Sequence, residues 1–399
     1  MADIKSYMKE KEKRERRQTG YKEKIIRHKL ANIYRILLLL AGAAALIALI
    51  VVQYRRHVYT DYDIIFSVPR ESVSSSVDIR LGNAILTYSK DGAHCTDAKG
   101  NVTWNQTYGM QDILLAVCGD TVAIGAYNGR SIYVQNTEKQ LREITTTMPI
   151  RELAVSANGY VTAVLEGTDA ALIHTYNPNA DGKDYEGQAH MTGSGYPTSI
   201  SLSPNGELLC VAYIYVDTGV MKTNVVFYNF GVVGENGNDY MVSVYSYTDT
   251  LTPQVQFMND NTAFAVGDNR LTIYSGNHAP KEVAGIILDS EIRAVYHSDK
   301  YVGLVFRSDD GEKLYRMDVY NTLAEKVGSF DINIDYTDIF FGESNFVAYN
   351  DTECVIMTMD GIEKFNGEFA KPVRLMLPVG NSYRYMLVTD SSIDTIQLK

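Results

Sequence analysis

One unit recurs eight times between residue 77 and the end of this 399-residue chain: a short strand, a tight turn of Gly, Asn, Asp or Ser, then a second and more apolar strand. The turns are Gly82-Asn83, Gly119-Asp120, Asn158-Gly159, Asn205-Gly206, Asp260-Asn261, Asp299-Lys300, Glu343-Ser344 and Gly380-Asn381. Steps between successive turns are 37, 38, 47, 55, 39, 44 and 38 residues. A period of about 40–45 residues with four strands per unit is what a β-propeller blade requires. The spacing therefore predicts an all-β fold, a β-propeller of four-stranded blades. Eight blades are favoured, and seven is the alternative if one unit is miscounted.

The second strands of the units, such as TVAIGAY, YVTAVLE and YVGLVF, are apolar on both faces and belong between neighbouring blades. Fourth strands, such as NVTWNQ and QLREIT, are more polar and suit a solvent edge. The two long steps are explained by Gly/Asn/Asp-rich hairpin insertions at 177–187 and 231–239. The eighth unit offers only three strands before Lys399, while Asp63–Val68 (DIIFSV) lacks a partner of its own. Pairing that segment into the last blade closes the ring and removes an exposed edge.

Ahead of the repeats, Ile36–Val52 is an uncharged run of seventeen residues, ILLLLAGAAALIALIVV. As a helix it covers about 26 Å, close to the ~30 Å hydrocarbon thickness of a bilayer. Residues 1–35 carry twelve Lys/Arg against five Asp/Glu; the remainder carries 25 against 43. Positive charge is retained in the cytoplasm, so the expected topology is N-terminus inside and the repeats outside. No A-x-A site follows the run, which favours an uncleaved anchor over a signal peptide. The organisation read from this is a basic cytoplasmic tail (1–33), a transmembrane helix (34–54), a juxtamembrane linker (55–62) and the extracytoplasmic propeller (63–399), with 63–68 as closing strand. Tyr34, Arg35, Tyr54, Arg55 and Arg56 are the expected membrane-interface residues. With about ten residues joining span and ring, the ring is expected near the outer membrane surface. The tail is read as a solvated helix or disordered topology signal, because its acids dilute a lipid-binding patch. Small residues at Ala41/Ala45 and Ala44/Ala48 permit close helix packing.

Two turns carry a resemblance. Ser203-Pro204-Asn205-Gly206-Glu207 looks like the S-P-[DN]-G-x turn of many bacterial propellers. Asp97–Trp104 (DAKGNVTW) resembles the D-x-x-x-G-x-x-x-W neighbourhood of quinoprotein-like repeats, with Gly100 one residue early. Over 63–399 the chain thus resembles membrane-anchored, quinoprotein-like propellers of bacterial envelopes, within the wider WD40-like superfamily, including an uncharacterised Gram-positive family with one N-terminal span. Enzymes of that kind that use pyrroloquinoline quinone carry a docking tryptophan in most blades. This chain has only Trp104, so the resemblance implies the fold and speaks against the redox activity.

Other chemistry is sparse. Cys95, Cys118, Cys210 and Cys354 fall in separate units without a C-x-x-C and read as small buried residues rather than disulfides. The histidines His94, His174, His190, His278 and His297 are scattered, with no H-E-x-x-H. The segment Asn177–Gln188 mimics a calcium loop at positions 1, 3, 5 and 6 but has Gln188 where a bidentate Glu is needed, so it reads as a polar hairpin. Gly193-Ser194-Gly195 is not a nucleophile elbow, and the S-x-D-x-G-x-x-W box of sialidases is not met. No catalytic, cofactor or metal residue is assigned, no enzyme activity is expected, and the acidic outer part disfavours nucleic acid. The 29 tyrosines suit protein or glycan surfaces as well as strand edges. The expected role is a scaffold or adaptor binding protein partners in the cell envelope. The alternatives are a receptor for a glycan or small ligand in the funnel and, behind it, a propeller hydrolase.

Overall fold

A computed structural model describes the chain except residues 1, 72, 74, 191–194, 237, 249, 309–312 and 381–382, together with some side chains of the N-terminal helix, those of Tyr54 and Arg55 among them. The molecule divides into two units, 1–58 and 59–399. The first is one continuous helix, α1 (Ala2–Arg55), so the basic tail and the apolar run share a single helix. Within it Arg27–Ile50 is long and apolar enough to cross a membrane. Tyr34, Arg35 and Arg56 are exposed; the side chains of Tyr54 and Arg55 lie outside the described residues.

The second unit is an eight-bladed β-propeller, each blade a four-stranded antiparallel sheet. Blades 1 to 7 are consecutive meanders over 77–107, 113–145, 150–190, 196–247, 254–287, 292–332 and 338–368. Blade 8 takes three strands from 373–398 and its outermost from β1 (Tyr62–Pro69), which pairs antiparallel with Ser392–Leu398. The strand expected at 63–68 is therefore the clasp. Second strands are the buried ones: Val161–Leu165, Thr262–Val266 and Asn345–Tyr349 are buried at every position. Apolar clusters form between successive blades, as where Phe227 and Cys210 of blade 4 meet Val255, Phe257 and Tyr274 of blade 5.

Seven of the eight sequence turns join the first and second strands of a blade; the eighth, at 380–381, is only half inside the described residues. They lie together on one side of the ring, here the turn face, and bind one another. Gly82 N donates to Gly119 O at 2.8 Å and Ala157 N to Pro204 O at 2.9 Å. Thr121 Oγ1 donates to Ala157 O at 2.9 Å, and Asn158 Nδ2 to Asn205 O at 2.7 Å. Asn205 N reaches Asp260 Oδ1 at 2.8 Å, and Asn259 Nδ2 reaches Asp299 O at 2.8 Å. The belt runs from blade 1 to blade 6. Because β1 starts opposite Leu398, the chain also enters the ring on this face, where Thr60 N donates to Lys399 O at 3.0 Å and the rings of Tyr59 and Tyr383 lie 4.7 Å apart.

The insertions are corrected in extent. Tyr185–His190 is the outer strand of blade 3, so the excursion before it ends at residue 184. The segment 231–239 is not a plain hairpin loop, since it contains the helical turn Val232–Glu235. Much of the remaining length of the fourth unit goes into two ten-residue strands, Leu208–Asp217 and Val220–Asn229, joined through Thr218 and Gly219 at φ +50° and +84°. Consecutive positive φ values suit the tight turn of a right-twisted hairpin.

Candidate functional site

Innermost strands line a central channel of about 790 Å³, to which blades 1 to 7 contribute. Its wall is mostly aliphatic or small: Leu115, Ala116, Val117, Ala154, Ile200 and Val255, with Phe257, Phe340 and Phe341. Two carboxylates line it, Glu152 and Asp299, and Glu152 is bound to the neighbouring blade. Its Oε1 accepts a hydrogen bond from Ile200 N at 3.0 Å, and burial pushes its carboxyl up to about 7. Burial likewise raises the Cys118 thiol, on the same wall. Arg80, His297 and Asp299 complete the ionisable lining. His297 is open to the water of the channel, although the crowded protein around it lowers its pKa. Among the described residues, no group of three or more His, Cys, Asp or Glu is placed to hold a metal ion.

A different site is built where the two insertions meet. Blade 3 delivers Lys183 and Tyr185, and blade 4 delivers Phe230 and Tyr240. Tyr185 stacks on Phe230 with centroids 4.5 Å apart and meets Tyr240 edge-on at 5.2 Å. Lys183 Nζ stands 5.3 Å from the ring centroids of both Tyr185 and Tyr240, a cation–π cap. Tyr185 Oη donates to Phe230 O at 3.1 Å, tying the two insertions together. Beneath lies a pocket of about 500 Å³ that adds Tyr213, Tyr228, Glu186, Gln188 and Asp239; the two phenols at its base share a hydrogen bond of 2.8 Å. Asp239 and Tyr240 sit at φ +53° and +62°. Left-handed backbone at a bulky tyrosine is strained, and such strain collects where a side chain must be presented in one direction. Val232, in the helical turn of the blade 4 insertion, is 76% exposed.

The other sequence candidates resolve into structural roles. Asp97 Oδ1 accepts from Lys99 N and Asn101 N, both at 2.8 Å, and Gly100 turns at φ +84°. A Cβ on Gly100 would stand 2.9 Å from Val68 Cγ1, so this turn packs against the closing strand. Trp104 Nε1 donates to Asn136 O at 2.6 Å, stapling blade 1 to blade 2. In the turn at 203–207, Ser203 Oγ and Asn205 Oδ1 accept backbone N–H groups from Leu208 and Glu207. The four cysteines are free, with Cys95, Cys210 and Cys354 buried. In the calcium-like loop the oxygens are turned inward: Asn177 Oδ1 accepts from Asn179 N at 2.9 Å, and Asp184 Oδ1 from Asn177 N at 2.7 Å. His174 stacks on Tyr176 at 4.0 Å and His278 Nδ1 lies 3.3 Å from Glu207 Oε1. Residues 193 and 194 and the side chain of His190 lie outside the described residues. The sequence reading expected a protein-binding scaffold, with a funnel ligand as the alternative, and did not locate the aromatic surface. Its signal was available in the two long steps, 47 and 55 residues, which hold Tyr185, Phe230 and Tyr240.

Among solved structures, Sqt1 of Chaetomium thermophilum bound to the N-terminus of the ribosomal protein L10 is similar over 84% of this chain and 100% of its own, at 14% identity and a TM-score of 0.51. The computationally designed Ika8 protein is similar over 86% and 100%, at 12% identity and a TM-score of 0.51. BamB of Moraxella catarrhalis is similar over 85% and 100%, at 10% identity and a TM-score of 0.49. At these identities the first two likenesses speak to the propeller fold alone. No curated protein matches the sequence. Residues 55–398 match the family of unknown function DUF5711, and the chain belongs to that family.

Proposed function

We propose that this member of DUF5711 is a membrane-anchored interaction platform, with α1 as an uncleaved N-in anchor and the propeller outside the membrane as a docking scaffold for envelope proteins. The observation that carries this reading is the convergence of both insertions, from adjacent blades, on one strained aromatic surface. Rigid aromatic side chains with polar tips, flanked by apolar contacts, supply contact area at low entropic cost. Blade 4 also exposes apolar groups at its other end, where the long hairpin carries Val216 (68% exposed), Val220 and Met221. The basic tail and acidic ring support the orientation through the charge rule for cytoplasmic flanks. That Sqt1 carries a ribosomal-protein N-terminus on a similar ring is a property of Sqt1, and compatible with peptide docking here.

The test is affinity capture of the full chain from native membranes, in parallel with a Tyr185→Ala/Phe230→Ala variant. The expected result is a discrete set of envelope proteins recovered with the unmodified chain and depleted at least about tenfold with the variant. Equal recovery by both overturns the docking site.

A second reading is favoured by the pocket under the aromatics, in which Glu186, Asp239 and Gln188 stand among tyrosines. Aromatic faces beside carboxylates suit a glycan or another small polar ligand. Titrating wall-derived oligosaccharides while following tyrosine fluorescence separates the readings, because saturable quenching abolished by Tyr240→Ala belongs to the ligand receptor alone.

A further inference from the structure

The repeats place an arginine at the same position in three inner strands: Arg151 in blade 3, Arg293 in blade 6 and Arg374 in blade 8. Each occupies the extra residue of a bulge in the pairing of first and second strands, between Ile150 and Glu152, Ile292 and Ala294, and Val373 and Leu375. The register then assigns each a facing position, one residue beyond the partner of the preceding strand residue. In blade 3 that position is Glu166, which pairs with Arg151. In blade 8 it is Asp390, and Arg374 Nη1 reaches Asp390 Oδ1 at 3.0 Å. In blade 6 the same position holds Arg307. The acid that neutralises the arginine elsewhere is replaced there by a second guanidinium.

Both arginines line one cavity of about 300 Å³, whose other walls are Tyr315 and Tyr336, rings 4.9 Å apart and edge-on. Arg293 and Arg307 are exposed, and neither makes an ion pair within 4.0 Å among the described residues. Asp335 stands beside the cavity: its Oδ1 accepts from Tyr315 Oη at 3.0 Å, and among the described residues it pairs with neither arginine. Two like charges held together cost energy unless an anion joins them, and paired guanidiniums match the geometry of carboxylate and phosphate oxygens. The setting makes this exceptional, because beyond residue 35 the chain carries 43 acids against 25 bases. A net charge of that sign disfavours anions in general, and a local pair of cations left open counters it.

We infer that blade 6 holds an oxyanion-binding site, formed by Arg293 and Arg307 with Tyr315 and Tyr336, for the carboxylate or phosphate group of a ligand. The site is independent of the aromatic surface of blades 3 and 4. Its test uses the full chain in neutral detergent micelles, titrated calorimetrically with inorganic phosphate, with glycerol 1-phosphate and with acetate. One of these oxyanions is expected to bind saturably at one per chain with a Kd on the order of 1 mM or tighter, phosphate arms and acetate distinguishing the source of the group. Arg307→Glu rebuilds the Arg–Glu pair of blade 3 and is expected to weaken binding at least about tenfold at an unchanged melting temperature. Arg307→Lys, which keeps the charge but loses the fork, should retain binding weakened several-fold. Absence of saturable binding for all three anions overturns the inference. Equal binding by Arg307→Glu and the unmodified chain overturns it too.

Discussion

Two junctions of the ring are held by different means. Between blades 4 and 5, eleven buried residues pack together, Phe227, Tyr247, Phe257 and Tyr274 among them. The inner strands there are also stitched by Ser199 and Ser201 hydroxyls accepting from Val255 N at 3.1 Å and Phe257 N at 2.9 Å. Between blades 8 and 1 the apolar cluster has six buried residues, all aliphatic, and only Ile85 comes from blade 1. At its centre Asp78, whose side chain is 0% exposed, receives Arg70 Nη2 at 2.5 Å, Arg374 Nε at 3.0 Å and Thr87 Oγ1 at 2.6 Å. Arg70 follows the closing strand, and Arg374 belongs to the inner strand of blade 8. Where consecutive units meet, apolar burial is enough to hold the register. Where the two ends of the folded ring must find each other across the whole sequence, directional charge contacts fix which strand sits where.

The comparison breaks most readily at Asp78. Asp78→Asn removes a charge and almost no volume, yet leaves two guanidiniums without their buried counter-charge; a loss of about 3–5 kcal/mol is expected in denaturant unfolding of the full chain in detergent. A loss below about 1 kcal/mol would mean that closure rests on β-pairing alone. At the apolar junction, Phe227→Ala should cost about 3 kcal/mol by lost burial and a residual cavity, while Phe227→Leu costs much less. Glu152, between blades 3 and 4, gives that junction a pH dependence. Its folded-state pKa of about 7 lies above the ordinary 4.5, so the folded protein holds the proton more tightly. Stability contributed by this group should therefore fall as pH rises from about 4.5 to 7, by up to about 2 kcal/mol once channel water is allowed for. Glu152→Gln should flatten that slope in melting curves recorded across the window. The smallest effect is expected at the closure again: Gly100→Ala, at φ +84° and against Val68, should cost about 1 kcal/mol.

Much of the ring was legible because its turns need residues that tolerate φ > 0 or bind their own backbone. Gly206, at φ +73°, and Asn205 mark one such turn unmistakably. The clasp was legible by subtraction, since the eighth unit lacked a strand and Asp63–Val68 lacked a sheet. The outer strand Tyr185–His190 (YEGQAH) was hidden, because its polar, glycine-containing pattern merges with the loop before it. The aromatic surface joins residues as far apart as Tyr185 and Tyr240, which only blade adjacency brings together. The arginine pair was hidden for a related reason: Arg293 and Arg307 acquire meaning only when the register aligns them with Arg151 and Glu166. Trp104 shows the converse: its spacing resembled a quinoprotein-like repeat and implied the fold, and its ring N–H serves a blade-to-blade hydrogen bond.

The account rests on blades 3 and 4 forming the contact surface, and site-specific photo-crosslinking tests it most directly. A photoreactive residue at Val232, in the full chain in its native membrane, is expected to give one discrete protein adduct that disappears when Tyr185 and Phe230 are replaced by alanine. The same probe at Tyr127, exposed on blade 2, should give none. An identical adduct pattern from both positions, or no adduct from Val232, would contradict it.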